Sequence, residues 1–347
     1  MLIVMKIGAT KKQILEVIEG IEEIGYQAKI SKGSQRSVIL VHGNIGFIDE
    51  SYFKKYNGIR EIIHISKRLK LVYKENNGGF DTVVDLGDGV TFNEKYSHII
   101  AGPCSVESRD MIDETAGFLY SRGVRLLRGG VFKPRTSPYS FQGLGDKGVA
   151  FLVDAARKNG MKIISEAVDE YSLSLLAETA DVIQIGARNM QNYSLLKKCG
   201  AINKPILLKR GFSATMDDLY VSLEYILAEG NPNIIVCERG IRFFEGTKQR
   251  SIVDLLGITD FKDDCHLPII VDVSHATRDR NKVPSLARAA MAYGCDGLMV
   301  EVHPDPDKAL SDGPQSLTFN DFDMMLVEVS KLSKQFGKPL KLFKEGQ

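Results

Sequence analysis

A chain of 347 residues, 44% hydrophobic and 26% charged, can bury a sizeable core and is too long for one small domain. Its 45 Lys and Arg against 44 Asp and Glu leave a formal charge of +1, which excludes a global field for holding nucleic acid or an anionic membrane, so an anionic ligand needs a local cation cluster. No apolar run approaches the roughly 18 residues of a membrane span, and MLIVMKIGATKK is too short for a secretory signal. The five scattered cysteines, Cys104, Cys199, Cys237, Cys265 and Cys295, form no disulfide framework, so a soluble, cytoplasmic protein with reduced thiols is expected.

Residues 2 to 65 read as strand, helix, two strands, short helix, strand: LIVMKIG, an amphipathic run from Lys11 to Ile24, QAKIS, SVILVH, Asp49 to Lys55, and IREIIHI. That order is the split βαβ pattern of ferredoxin-like modules and defines a small domain over 1–66. A charged stretch ending in Gly78-Gly79 suggests a linker over 67–80. The larger domain, 81–347, begins with DTVVDLGDGVTFNEKYS, which alternates around Gly-Asp-Gly as a hairpin should and is expected to cap the bottom of the domain's main body. From His98 onward, HIIAG, VRLLRG, MKIISEA, DVIQIG, PILLKR, NIIVCE, PIIVDV and GLMVEV alternate with helical runs such as Asp110 to Arg122, Thr215 to Glu229 and Thr318 to Phe336. Eight such pairs over roughly 250 residues predict an α/β fold of the closed (β/α)8 TIM-barrel kind; a doubly wound sheet usually has fewer strands and a glycine-rich first turn, which is missing.

In a barrel the active site lies where strands end, so the polar residues just past each strand carry the functional signal. Those positions hold Cys104, then Arg128 with Lys133 and Arg135, Glu166, Arg188, Lys209 with Arg210, Glu238 with Arg239, Asp272 with His275, and Glu301. Strand eight closes against strand one, which places Cys104, His275 and Glu301 on one arc of the mouth and the cations on the other. A thiolate, imidazole and carboxylate set suits Zn, Fe, Co or Mn over Mg. The loop VHPDPDKALSDG offers Asp305, Asp307 or Asp312 as a fourth ligand and His303 as a rival to Glu301, and spacing alone does not choose. Arg128, Lys133, Arg188, Lys209 and Arg239 together suit a small ligand carrying both carboxylate and phosphate. A lone strand-end cation is often just a solvated charge, but five converging on one mouth are not. Cys265-His266 precedes strand seven and belongs to the opposite, structural end.

The strings AGPCSVES (101–108), LRGGVFKPRTSPYSFQGLG (127–145), QIGARNMQNYSLL (184–196), LLKRG (207–211), CERGIR (237–242), DVSH (272–275) and EVHPDPDKALSDG (301–313) resemble the first structural type of 3-deoxy-D-arabino-heptulosonate 7-phosphate synthase. The resemblance spans about 98–337, and the first 65 residues look like the ferredoxin-like extension of some members. It implies condensation of phosphoenolpyruvate with erythrose 4-phosphate and water, the first step of the shikimate pathway. It also implies a divalent metal ion (Mn, Fe, Zn or Co) on Cys104, His275, Glu301 and Asp312. Carried over by position, phosphoenolpyruvate would meet Arg128, Lys133, Arg188, Lys209, Glu238 and Arg239, with Gly186 and Ala187 nearby. Lys133, Pro134, Arg135, Thr136 and Ser137 would form the erythrose 4-phosphate loop. The resemblance further implies feedback inhibition by tyrosine or phenylalanine on the small domain, with the turn from Ser31 to Arg36 as the candidate contact, and a homodimer or homotetramer. Val273 stands where many relatives have proline.

Chemically, Lys133 is the candidate acid for the developing alkoxide, and the surrounding cations lead to the expectation of a lowered pKa. Glu166 and Asp272 are candidates for the water proton. Three other activities compete. The sister 3-deoxy-manno-octulosonate 8-phosphate synthase uses arabinose 5-phosphate, though its KANRS-like loop differs from KPRTS here. A Schiff-base aldolase would use Lys209, and a non-catalytic amino-acid sensor would have no need of the ligand set.

Overall fold

The computed structural model describes residues 1–32, 37–42, 48–63, 69–135, 137–243 and 251–343. Two compact units divide at Lys70 and Leu71. In the first, β1 (Leu2–Met5), β2 (Gln27–Lys32), β3 (Ser37–His42) and β4 (Ile59–Ile63) form a sheet of order β2-β3-β1-β4, with every neighbour antiparallel. Helix α1 (Lys11–Glu23) starts at a capping box, in which Thr10 and Gln13 satisfy each other's backbone N–H groups. Its inner face supplies Val17 and Ile21 to a core with Ile3, Met5, Ile39, Val41 and Phe53. The second helix of the ferredoxin-like plan is reduced here to a 3₁₀ segment, Glu50–Lys55, opened by the Asp49 carboxylate accepting from Ser51 N at 2.8 Å.

The second unit opens with an antiparallel pair, β5 (Val84–Asp85) and β6 (Thr91–Phe92). Eight parallel strands come next and close on themselves: β7 (His98–Gly102), β8 (Leu126–Arg128), β9 (Lys162–Ala167), β10 (Val182–Ile185), β11 (Ile206–Lys209), β12 (Ile234–Glu238), β15 (Ile269–Asp272) and β16 (Gly297–Glu301). Between β12 and β15 lies a two-stranded ribbon, β13 (Ile241–Arg242) with β14 (Ser251–Ile252). β16 pairs with β7 from Gly297↔His98 to Glu301↔Gly102, the seam that shuts the barrel. The outer helices are α2 (Arg109–Ser121), α3 (Asp146–Lys158), α4 (Glu170–Thr179), α5 (Tyr193–Ala201), α6 (Met216–Ala228), α7 (Leu255–Asp264), α9 (Val283–Ala292) and α10 (Phe319–Gln335). A one-turn helix, α8 (Val273–Thr277), follows β15 directly. Among the described residues, no helix is long and apolar enough to cross a membrane.

The short hairpin plugs the floor of the barrel, because Val84, Val90 and Phe92 join Ile100, Leu126, Ile164, Val182, Leu207, Ile235, Ile270 and Met299 in one buried cluster. With the lower half of the interior filled by hydrocarbon, the polar side chains at the C-terminal ends of the strands converge above it. Cys265 and His266 lie at the opposite end, where His266 bonds Thr82 Oγ1 (2.6 Å) and Leu71 O (2.9 Å). The stretch expected as a linker is anchored to this unit from Leu71 onward: Glu224 accepts from the N–H groups of Leu71 and Val72, and Tyr73 packs against Tyr220.

Candidate active site

The turn from β15 to α8 shows how sequence places chemistry. Asp272 is at once the last residue of the strand and the N-cap of the helix, its Oδ1 accepting from His275 N at 2.9 Å. That cap brings the His275 ring back over Asp272, with Nδ1 2.8 Å from Oδ2. Val273 occupies the first helical position, where a backbone N–H has no intrahelical partner and proline is equally at home, so the departure from proline leaves His275 in place. Two strands round the barrel, at the end of β7, Gly102 has φ +147, and a Cβ there would lie 2.0 Å from Arg128 O, so only glycine allows this approach of β7 to β8.

Cys104, His275, Glu301 and Asp312 gather into one group, each offering a ligand atom within 4.8 Å of the others, on the scale of two metal–ligand bonds of about 2.0–2.3 Å. His275 Nε2 lies 3.3 Å from Glu301 Oε1 and 3.6 Å from Asp312 Oδ2. The Cys104 thiol donates to Asp312 Oδ2 at 3.1 Å. Burial pushes that thiol up to about 12, with the Glu301 charge adding to the effect. Burial also opposes ionisation of Glu301 and Asp312, yet His275, with Arg128 for Glu301 and Lys133 for Asp312, holds both below the usual carboxylate range. Two ionised carboxylates, an imidazole and a buried thiol facing one point are a donor set that fits a divalent transition metal. The His–carboxylate pair behind it is the usual orienting arrangement for a metal-binding histidine. Glu301 is gripped from two further sides, by Arg128 Nη1 at 2.7 Å and Gln315 Nε2 at 2.6 Å.

Beside this group is a cavity of about 250 Å³ whose lining includes Lys133, Pro134, Arg135, Ser137, Glu166, Gly186, Ala187, Arg188, Lys209, Arg239, His275 and Asp312. Lys209 Nζ donates to Asp272 Oδ2 at 2.5 Å. Burial would raise the Asp272 carboxyl, but His275 and Lys209 hold it well below its ordinary value. Glu166 accepts from Gln184 Nε2 at 2.8 Å, and its other oxygen lies over Gly186, where a Cβ would come within 2.1 Å of it. Arg239 donates to the carbonyls of Gly240 and His275, and burial lowers its pKa.

The expected division of the mouth into a ligand arc and a cation arc needs correction. Arg128 is 2% exposed and sits under Glu301, outside the cavity lining, and Lys133 Nζ donates to Cys104 O (3.0 Å) and Cys104 Sγ (3.1 Å). β8 neighbours β7 in the closed barrel, so its cations necessarily abut the ligand group. The expectation of a lowered Lys133 pKa is also overturned. Burial does pull it down, but Cys104, Glu166 and Glu301 outweigh burial and Arg128, and the net shift is upward. Glu238 is turned away from the cavity, accepting from Arg210 Nη1 (2.9 Å) and Gly240 N (2.5 Å). Thr136, residues 33–36 and the side chain of Ser31 lie outside the described residues.

With this geometry in view, the profile of the DAHP synthetase I family matches residues 81–337, and that of the DAHP synthase ferredoxin-like domain matches 1–67. The chain is 48% identical to a phospho-2-dehydro-3-deoxyheptonate aldolase of Thermotoga maritima, over 97% of this chain and 99% of the relative. The chain belongs to the DAHP synthetase I family. The Thermotoga maritima crystal structure of that name superposes with a TM-score of 0.78 at 47% identity, covering 98% of this chain and 99% of the other. A truncated 3-deoxy-D-arabino-heptulosonate 7-phosphate synthase from the same organism gives 0.72 at 48% identity, over 78% of this chain and 98% of its own. A 2-dehydro-3-deoxyphosphooctonate aldolase of Legionella pneumophila is 30% identical over 71% of the chain and 94% of that relative.

Three residues of this DAHP synthetase I chain escape a reading by sequence alone. Phe212 and Arg278 line the cavity, and Gln315 grips Glu301. Arg278, the C-cap of α8 three residues past His275, is in left-handed backbone (φ 55°), as is Asp312 (φ 51°), so two of the three described non-glycine residues with that conformation border one cavity. Attention to charged residues at strand ends passes over a phenylalanine, and Gln315 is fourteen residues past its strand with no motif of its own.

Proposed function

We propose that the chain condenses phosphoenolpyruvate with D-erythrose 4-phosphate and water, releasing inorganic phosphate and the seven-carbon keto acid phosphate. The observation that carries this reading is the cation-lined cavity set against a Cys104, His275, Glu301, Asp312 donor group at the mouth of a barrel. Both substrates are anions, and a shared site must first overcome their repulsion. Lys133, Arg188, Lys209 and Arg239 do so while orienting the enol ether, with Arg128 placed as a buried counter-charge. Pro134, Arg135, Thr136 and Ser137 would hold the aldose phosphate, with the backbone at Gly186 and Ala187 closing the other side.

A Mn, Fe, Zn or Co ion held by Cys104, His275, Glu301 and Asp312 would supply Lewis acidity toward the aldehyde oxygen. Lys133 reaches the same place from Cys104 and, as an ammonium, serves as the donor of a proton to the new alkoxide. Carbon three of phosphoenolpyruvate attacks the aldehyde, water adds at carbon two, and phosphate leaves with its bond to that carbon broken. Glu166, lining the cavity with one oxygen free of Gln184, is suited to take the water proton. Asp272 has both oxygens engaged by Lys209, His275 and the α8 cap, and instead orients those groups. The Lys209 amine, clamped to Asp272, is a poor Schiff-base nucleophile.

Phosphate release from the two substrates with Mn²⁺ present, lost after chelation and restored by the metal, tests the reading. Faster turnover with arabinose 5-phosphate would transfer the chain to the octulosonate reaction, and no release with either sugar would leave a sensor. We further propose that residues 1–66 form the regulatory domain and 81–347 the catalytic one. An aromatic amino acid, tyrosine or phenylalanine, would bind the former, and the protein would act in the cytoplasm as a homodimer or homotetramer.

A further inference from the structure

Phe212 follows the last cation of β11 by three residues and lines the cavity. Its ring has two guanidiniums against it: Arg239 Cζ lies 4.4 Å from the centroid and Arg188 Cζ 5.4 Å, both within the roughly 6 Å over which a cation is drawn to an aromatic face. The two arginines come from different strand ends, Arg188 from the 3₁₀ turn after β10 and Arg239 from the end of β12, and the ring between them belongs to the loop after β11. The platform is itself pinned, since Phe212 O accepts from Arg242 N at 2.6 Å and the N–H of Gly211 beside it donates to Met190 Sδ at 3.0 Å.

Two cations facing one cavity repel each other before an anion arrives, and each long side chain has other rotamers to adopt. The negative face of one aromatic ring offsets both tendencies without neutralising either charge, which a carboxylate in the same place would do. We propose that Phe212 is a positioning residue for phosphoenolpyruvate, holding the guanidiniums of Arg188 and Arg239 in the spacing that its anionic end requires. This rests on the reading of the cavity as a phosphoenolpyruvate site.

The test compares Phe212→Leu, which keeps apolar bulk, with Phe212→Tyr, which keeps the aromatic face, in the full chain loaded with Mn²⁺. Calorimetric titration gives the Kd for phosphoenolpyruvate, steady-state kinetics gives both KM values, and thermal unfolding checks the fold. Phe212→Leu is expected to weaken phosphoenolpyruvate about fivefold to tenfold, the range two solvent-accessible cation–ring contacts supply, and to leave the KM for erythrose 4-phosphate within about twofold. Phe212→Tyr restores most of the loss. Equal impairment in the two variants, unchanged affinity in Phe212→Leu, or a parallel rise in both KM values would overturn the proposal. Wild-type protein that fails to bind phosphoenolpyruvate at all would instead remove the functional reading beneath it.

Discussion

Glu301 is 0% exposed and faces four groups at once: Arg128 and the His275 ring nitrogen near Oε1, Gln315 at Oε2, and the Asp312 carboxylate across the donor group. Gln315 adds no charge and, by holding Oε2, fixes the orientation of the carboxylate, the kind of outer contact whose loss weakens a metal site by about 10- to 100-fold. Gln315→Leu is therefore expected to raise the Mn²⁺ dissociation constant by that factor, read by direct metal titration, and an unchanged constant would show that Glu301 orients itself. Lys133→Met tests the proton donor. Single-turnover measurements with both substrates saturating should show the chemical step slowed by roughly 10²- to 10⁴-fold. Near-normal chemistry in that variant would take Lys133 out of the mechanism.

At the level of elements, strands carry their own acid–base liabilities into the barrel. His98 begins β7, is 2% exposed, bonds Thr91 O at 2.9 Å and packs on Phe92. Burial is the chief cause lowering its pKa to about 4, against the Thr91 contact, which opposes the shift. The unfolded chain, with a histidine near 6.5, then binds more protons than the folded one between those values. Stability from this site is fully present above about pH 6.5 and falls as pH drops toward 4, by up to about 3 kcal/mol. Replacing His98 with Gln, which keeps a donor for Thr91 O, should flatten the pH dependence of the urea midpoint in that window; equal slopes would exclude His98 as the source. β11 poses a different case. Arg210, just past its end, joins Glu238 of β12 to Asp254, the N-cap of α7. Arg210→Met strands the buried Glu238 charge and is expected to cost about 3–5 kcal/mol, a loss that adding Glu238→Gln should largely recover. Denaturant curves of the single and double variants that coincide would contradict this.

For the whole molecule, the two units have separate cores, and the boundary between them is set by hydrogen bonds that composition does not reveal. Because Glu224 accepts from the N–H groups of Leu71 and Val72, a chain beginning at Leu71 keeps contacts that one beginning at Asp81 loses. Truncation at Leu71 should retain phosphate release and abolish any inhibition by tyrosine or phenylalanine, whereas truncation at Asp81 should lower the thermal midpoint by several degrees. Inhibition that persists without residues 1–70 would place the effector site on the barrel.

By itself the sequence determined what is periodic and local. Eight apolar runs spaced by helices specify the barrel, the 1–66 pattern specifies a ferredoxin-like sheet, and each strand end announces its polar residue, because strand, helix and cap preferences act over a few neighbours. Motif resemblance added Asp312, which spacing could not separate from Asp305 and Asp307. Tertiary structure alone decided which charges meet. Closure of β16 on β7 and β7 on β8 brings Arg128 beneath Glu301 and Lys133 onto Cys104, and that proximity reverses the expected direction of the Lys133 pKa. It likewise turned Glu238 toward Arg210, laid Phe212 between two arginines, and brought Gln315 back to a carboxylate fourteen residues earlier. Electrostatic energy depends on distance in space and on burial, and neither is written in the order of residues along a chain.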